Sequence, residues 1–216
     1  MLMEPFVRLT GIAAPLPIND VDTDAIIPSR ETQSVARTGY ADKLFANWRY
    51  QPGTRIVQPD FVLNRPPFDK AVMLVSGRNF GCGSSREAAV WSLVQFGIRA
   101  VIAVSFGTIF RNNCIRNGLL PVTLPLEVVE HLLQEVNQGQ TTLTVDLEQC
   151  QVVTPGGEGH HFTIDPLERE MLLKGADEIS VTLERRADID AFRERDRALR
   201  PWVYQESSDP QREQCA

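Results

Sequence analysis

The sequence predicts an α/β fold: a mostly parallel central sheet with flanking helices, then a β-rich, helical C-terminal extension. Three observations carry this. The runs Ala71-Val72-Met73-Leu74-Val75 and Ala100-Val101-Ile102-Ala103-Val104 are continuous and apolar, as in strands buried on both faces. The segments that follow have helical length and stop at Gly97, Gly118 and Gly139, where a left-handed C-terminal residue belongs. After Gly139 the pattern changes to short strand-like pieces and turns. Strands alternating with helices select parallel packing with crossover connections.

Taken in order, Phe6-Val7-Arg8-Leu9 reads as a short first strand running into a proline turn, Ala14-Pro15-Leu16-Pro17. Asn19 to Asp24 is a polar, acidic loop, closed by Pro28. Ser29 to Asp42 is polar and fits either a helix or a loop. Pro52 to Pro67 holds four prolines and reads as irregular. Ala71–Val75 is a strand, Gly77–Gly83 a glycine-bearing loop and Ser84–Phe96 a helix. A strand at Ala100–Val104, a helix at Gly107–Asn117, a strand at Leu120–Leu124 and a helix at Leu126–Asn137 follow. Leu143–Leu147, Gln151–Val153 and Phe162–Ile164 read as short strands, with Pro155-Gly156-Gly157 as a hairpin turn. From Asp165 the pattern is two helices split near Gly175. No linker separates independent domains. One domain over residues 1–204 is expected, with 205–216 as a polar, disordered tail.

Composition excludes several function classes. A chain of 216 residues with 43% hydrophobic residues has the material for a sizeable core. Its net charge of −6 argues against nucleic acid and against an anionic membrane surface as partners. The most basic stretch, Arg193–Arg200, is interrupted by Glu194 and Asp196 and reads as a solvated helix face. No run approaches the roughly 18 apolar residues of a membrane span. Met1–Thr10 lacks the basic-then-apolar pattern of a signal peptide. Cys82, Cys114, Cys150 and Cys215 are widely spaced, which predicts neither a disulfide framework nor a self-contained iron–sulfur or zinc site. A reducing cytoplasm is the expected compartment, and no metal ligand is assigned to this chain.

The segment that carries chemistry is Gly77-Arg78-Asn79-Phe80-Gly81-Cys82-Gly83-Ser84-Ser85-Arg86-Glu87. It follows a buried strand and opens a helix. Such a loop can aim backbone N–H groups and a helix N-terminus at an anion, and its glycines admit close backbone approach. Arg86 can grip a carboxylate through two parallel hydrogen bonds, and Ser84 can act as base or nucleophile if its alkoxide is stabilised. A plainer reading makes Ser84 and Ser85 helix caps, with Glu87 as capping partner. The segment is not a Walker loop, a dinucleotide fingerprint or a nucleophile elbow, because Arg86 stands where the last two need glycine. A second candidate, Asp22-Thr23-Asp24, can bind a cation or orient a base, or can be a turn rich in Asx hydrogen bonds.

Together, Asp22-Thr23-Asp24-Ala25-Ile26-Ile27-Pro28 and Asn79-Phe80-Gly81-Cys82-Gly83-Ser84-Ser85-Arg86-Glu87 resemble the small subunit of 3-isopropylmalate dehydratase, the counterpart of aconitase's swivelling domain. Leu44-Phe45, Trp48-Arg49-Tyr50, Pro59 to Asn64, Phe110-Arg111-Asn112-Asn113, Asn117-Gly118-Leu119-Leu120-Pro121 and Phe162 to Pro166 match as well. The resemblance runs from about residue 5 to about residue 203. It implies an aconitase-type swivelling domain and a hydro-lyase of leucine biosynthesis, active only with a large subunit. That subunit would carry a [4Fe–4S] cluster acting as Lewis acid. It also implies roles for residues. Ser84 would be the catalytic base, with Arg86 gripping a substrate carboxylate and Asp24 beside them. Ser85, Gly83, Cys82, Arg30 and Arg37 would contribute to substrate binding. Water would be lost and re-added one carbon over, exchanging 2-isopropylmalate and 3-isopropylmalate.

Two departures stand out. Ser29-Arg30-Glu31-Thr32-Gln33 replaces the family's usual lysine, aromatic and leucine, in the loop that reads the substrate's variable group. An unpartnered polar group facing an isopropyl group would cost about 1–3 kcal/mol, which opens the alternative of a smaller or more polar hydroxy-diacid such as a methyl-substituted malate. Ala88 replaces a histidine common after Ser-Ser-Arg-Glu. A non-catalytic carboxylate-binding module is the alternative from another class.

Overall fold

The computed structural model describes residues 3–32, 38–83 and 86–204. The chain divides into two compact units, Met1–Asp177 and Glu178–Ala216. Each unit is described by itself.

In the first unit, β1 (Arg8–Leu16) leads through α1 (Thr23–Ile26) and α2 (Ala46–Arg49) to β2 (Met73–Ser76). Then come α3 (Glu87–Phe96), β3 (Ala100–Ala103), α4 (Thr108–Arg116), β4 (Leu120–Thr123) and α5 (Leu126–Asn137). The hairpin strands β5 (Thr142–Asp146), β6 (Gln151–Val153) and β7 (Gly159–His161) precede α6 (Pro166–Lys174). The seven strands form one sheet in the order β4-β3-β2-β1-β5-β6-β7. β1 to β4 are parallel neighbours, with Ala13 opposite Met73, Met73 opposite Ala100 and Ala100 opposite Leu120. β5, β6 and β7 extend the same sheet in antiparallel fashion from β1. The parallel half is the one the apolar runs predict, and over all seven strands the sheet is mixed.

β2 and β3 are fully buried along their length, and Leu74 and Val101 join Phe80, Leu93, Ile98 and Phe110 in the main core cluster. Gly97 (φ +115) and Gly175 (φ +62) end α3 and α6 in the left-handed region, each N–H returning to carbonyls of the last turn. Phe45 adopts φ +47, costly for an aromatic residue. Its ring is stacked on Trp48 at 5.3 Å, and its N–H bonds the Ile26 carbonyl at 2.7 Å, so packing and a hydrogen bond hold that conformation beside α1.

Three boundaries differ from expectation. β1 is longer than Phe6–Leu9 and includes Pro15. The Ala13 N–H points toward β5, bonding Thr141. Pro15 has the same orientation, but β5 ends at Thr142, opposite Ile12, so its missing N–H costs no ladder bond. The last hairpin strand is Gly159–His161, not Phe162–Ile164. The Thr154–Glu158 turn, with Gly157 at φ +86, starts the strand three residues earlier, and Phe162 is buried just past it. After Gly175 there are two helices where one was expected.

Those two helices form the second unit: α7 (Glu178–Leu183), α8 (Arg186–Leu199) and a 3-10 turn at Pro201–Tyr204. Asp196 anchors it, accepting from Tyr204 Oη at 2.8 Å and Arg200 Nε at 2.7 Å. Residues 205–216, expected as a tail, lie outside the described residues. Among the described residues no helix is long and apolar enough to cross a membrane.

Candidate active site

Three loops leave the carboxyl ends of β1, β2 and β3 side by side. This is the end of a parallel sheet where ligands usually bind. The middle loop, Gly77–Gly83, is stitched to both neighbours. Toward the first loop, Gly77 N–H donates to Ile18 O (3.2 Å), Arg78 N–H to Asn19 Oδ1 (2.9 Å) and Gly81 N–H to Val21 O (2.7 Å). Asn79 Nδ2 donates to Asp20 Oδ1 at 2.8 Å, and Thr23 N–H to Cys82 O at 2.9 Å. Toward the third loop, Asn79 N–H donates to Ser105 Oγ (2.8 Å), Phe80 N–H to Ser105 O (3.0 Å), and Gly107 N–H to Phe80 O (2.9 Å).

These bonds correct one expectation. The N–H groups of residues 77 to 81 are all committed to neighbouring loops, so none of them is presented to an anion. Glycine is required where the loops touch. Gly81 has φ +75, and a Cβ there would run into the Phe110 ring. At Gly77 it would meet Asn19 Oδ1. Gly83 has φ +85 and lies over Asp22, with space for a Cβ but a backbone that L side chains rarely adopt.

The two acidic residues of Asp22-Thr23-Asp24 have separate jobs. Asp22 caps α1, its Oδ1 accepting from Ala25 N–H at 2.6 Å. Asp24, in the first turn of that helix, reaches Arg86 at the start of α3. Arg86 Nη1 donates to Asp24 Oδ1, Nη2 donates to Oδ2 at 3.1 Å, and Nη1 also approaches Ile27 O at 3.4 Å. This is an end-on bidentate pair. Guanidinium carries five N–H donors. The edge formed by Nε and the outer N–H of Nη2 has no partner among the described residues, and it has the geometry of a second carboxylate fork.

The Arg86 hydrogen bond is the largest influence on Asp24, holding its carboxyl below the ordinary carboxylate range, and Ser29 adds to this. The side chains are 25% and 54% exposed, so water screens the pair and it orients more than it stabilises. Cys82 is partly buried. Burial, with Asp22 and Asp20 nearby, pushes its thiol pKa up, so it remains a protonated thiol at neutral pH.

Of the other candidates, Arg30 lies in a 3-10 turn at Ser29–Glu31, where its Nη2 donates to Asn47 Oδ1 at 2.7 Å. Glu31, 13% exposed, takes a 2.6 Å bond from Arg55 and lies 3.7 Å from Arg30. Ser84, Ser85 and Arg37 lie outside the described residues. The structure therefore brings Asp24, Cys82, Gly83 and Arg86 together, while the Arg30 side chain is taken up by Asn47. Sequence reasoning did not single out Asn19, Asn79 and Ser105 as loop supports. Asn19 sits in the quoted polar loop and Asn79 in the quoted motif, but no spacing signals their partners. No three His, Cys, Asp or Glu side chains among the described residues are placed to hold a metal ion, so these residues do not fit an iron–sulfur cluster of their own.

Comparison with known proteins places this geometry. The Aconitase C-terminal domain family matches residues 3–127, and LeuD_N matches residues 130–166. The chain is 53% identical to the 3-isopropylmalate dehydratase small subunit of Cupriavidus necator, over 94% of this chain and 99% of that protein. The chain belongs to the 3-isopropylmalate dehydratase small-subunit family. The protein of that name from Paracoccus denitrificans is 46% identical, over 93% of this chain and all of the relative. The crystal structure of 3-isopropylmalate dehydratase (leuD) from Methanocaldococcus jannaschii aligns with a TM-score of 0.60 at 28% identity, covering 87% of this chain and 99% of that one. The small-subunit family thus accounts for the fold of the first unit.

Proposed function

We propose that this chain, with a large subunit, interconverts 2-isopropylmalate and 3-isopropylmalate by dehydration and rehydration, a step of leucine biosynthesis in the cytoplasm. The observation that carries the reading is the Asp24–Arg86 pair. It fixes a guanidinium directly after Ser84-Ser85 while leaving one fork open, in a chain 53% identical to a protein of that name.

In this reading the open fork of Arg86 binds a substrate carboxylate, and Asp24 holds the fork in place. Ser84 accepts the proton from the carbon beside the hydroxyl-bearing one. The C–H pair becomes the new double bond as hydroxide leaves, so one water is lost, and rehydration at the neighbouring carbon reverses the balance. Ser85, Gly83 and Cys82 shape the carboxylate end of the site, and Arg30 and Arg37 border it. The [4Fe–4S] cluster, carried by the large subunit, supplies Lewis acidity toward the leaving hydroxyl. Neither nucleic acid nor membrane takes part.

The polar residues after Pro28 do not weigh against an isopropyl substituent. The cost expected of Arg30 and Glu31 required that they lack partners, and Asn47 and Arg55 satisfy them. Replacing Ser84→Ala in the assembled complex tests the reading. It should abolish turnover while leaving subunit association intact, and full activity would refute the role of Ser84.

A further inference from the structure

We propose that Asn117 is a positioning residue for the catalytic segment, acting through Glu87; this rests on the roles given above to Ser84 and Arg86. Arg86 is the N-cap of α3, and its own side chain makes no capping bond. Among the described residues, that first turn is held from outside by a side chain of the neighbouring helix end. Asn117 ends α4 and makes three bonds with one amide. Its Nδ2 donates to Glu87 Oε1 at 3.0 Å and to Asn113 O at 2.8 Å. Its Oδ1 accepts from Trp91 Nε1 at 3.0 Å. Glu87 and Trp91 lie four residues apart, on one face of α3. The amide therefore joins the first turn of α3 to the last turn of α4.

The place matters. Glu87 follows Arg86 directly, so a shift of Glu87 moves the backbone that carries the guanidinium. On one side Glu87, Trp91 and Asn117 line a cavity of about 300 Å³, while Ala89 and Val90 of the same turn are fully buried. On the cavity side the Asn117 amide holds Glu87. Asp24 holds the Arg86 side chain, so Arg86 is held from two directions, by Asp24 through the guanidinium and by Asn117 through the helix.

The bond also has a polarity that can be exchanged. Asn117→Asp keeps an acceptor for Trp91 but sets a carboxylate against Glu87 and gives up the bond donated to Asn113 O. Adding Glu87→Gln gives the pair a donor again, on the opposite partner. Steady-state kinetics of the assembled enzyme on 2-isopropylmalate should show kcat for Asn117→Asp reduced at least fivefold. The double variant Asn117→Asp/Glu87→Gln should regain about half or more of the lost kcat, because it restores the bond between residues 117 and 87 but not the one to Asn113 O. Glu87→Ala, which removes the tether from the helix side, should match the single-variant loss and serves if Asn117→Asp does not assemble. A purely structural role would lower thermal stability without this polarity-dependent recovery of kcat. Wild-type kcat in Asn117→Asp or in Glu87→Ala, or no recovery in the double variant, would overturn the inference. Ser84→Ala, assayed alongside, separates the two claims. If it is active, the site reading has failed; if it is dead while Asn117→Asp is normal, only the tether has.

Discussion

In the proposed function Arg86 binds substrate and Asp24 orients Arg86, and this division sets what substitutions should do. Lysine cannot reproduce two forks at once. Arg86→Lys should therefore raise KM for isopropylmalate about ten- to hundredfold, the range expected for losing a charged bidentate contact. Asp24→Asn keeps a polar partner but removes the charge that aligns the guanidinium. The pH dependence follows from the lowered pKa of Asp24. Its ionised form is the one favoured by Arg86, so the contribution is present above the ordinary value of about 3.9 and is lost as pH falls through the lower folded value. The stability difference between wild type and Asp24→Asn should be flat from neutral pH to about pH 4, then close in stronger acid. Urea titrations across that range measure it, and a difference that already vanished at pH 6 would contradict the pairing.

At the scale of elements, the site is three loops locked together, and glycine is the lock. Gly81→Ala must accept a strained positive φ and also displace Phe110, which packs against Phe80 at 5.5 Å. Together these should destabilise the protein by about 2–4 kcal/mol, measurable by urea unfolding, with activity lost wherever the protein still folds. The parallel strands were legible in the sequence because full burial leaves a continuous apolar run. Pro15 looked like a turn because a proline's place in a strand depends on which side the neighbouring strand stops, which is a tertiary fact. Phe162 was drawn into a strand by its apolarity, although the turn before it sets the register. The break between α7 and α8 carries neither glycine nor proline, so nothing in the residues marks it. In the candidate site, the place of the loop between a buried strand and a helix was legible. The commitment of the N–H groups of residues 77–81 was not, because it comes from loops arriving after β1 and β3.

For the whole molecule, the family's small-subunit architecture places the loop cluster at one end of a mixed sheet, with Arg86 and Asp24 partly open to solvent. The proposed function assigns the remaining chemistry to a partner surface, that of the large subunit. The measurement that tests this most directly is hydro-lyase activity of the chain co-expressed anaerobically with its large subunit, on 2-isopropylmalate beside methyl-substituted malates and citrate. The account predicts turnover by the complex only, with isopropylmalate strongly preferred and Ser84→Ala inactive. Turnover by the isolated chain, or preference for a smaller acid, would contradict it.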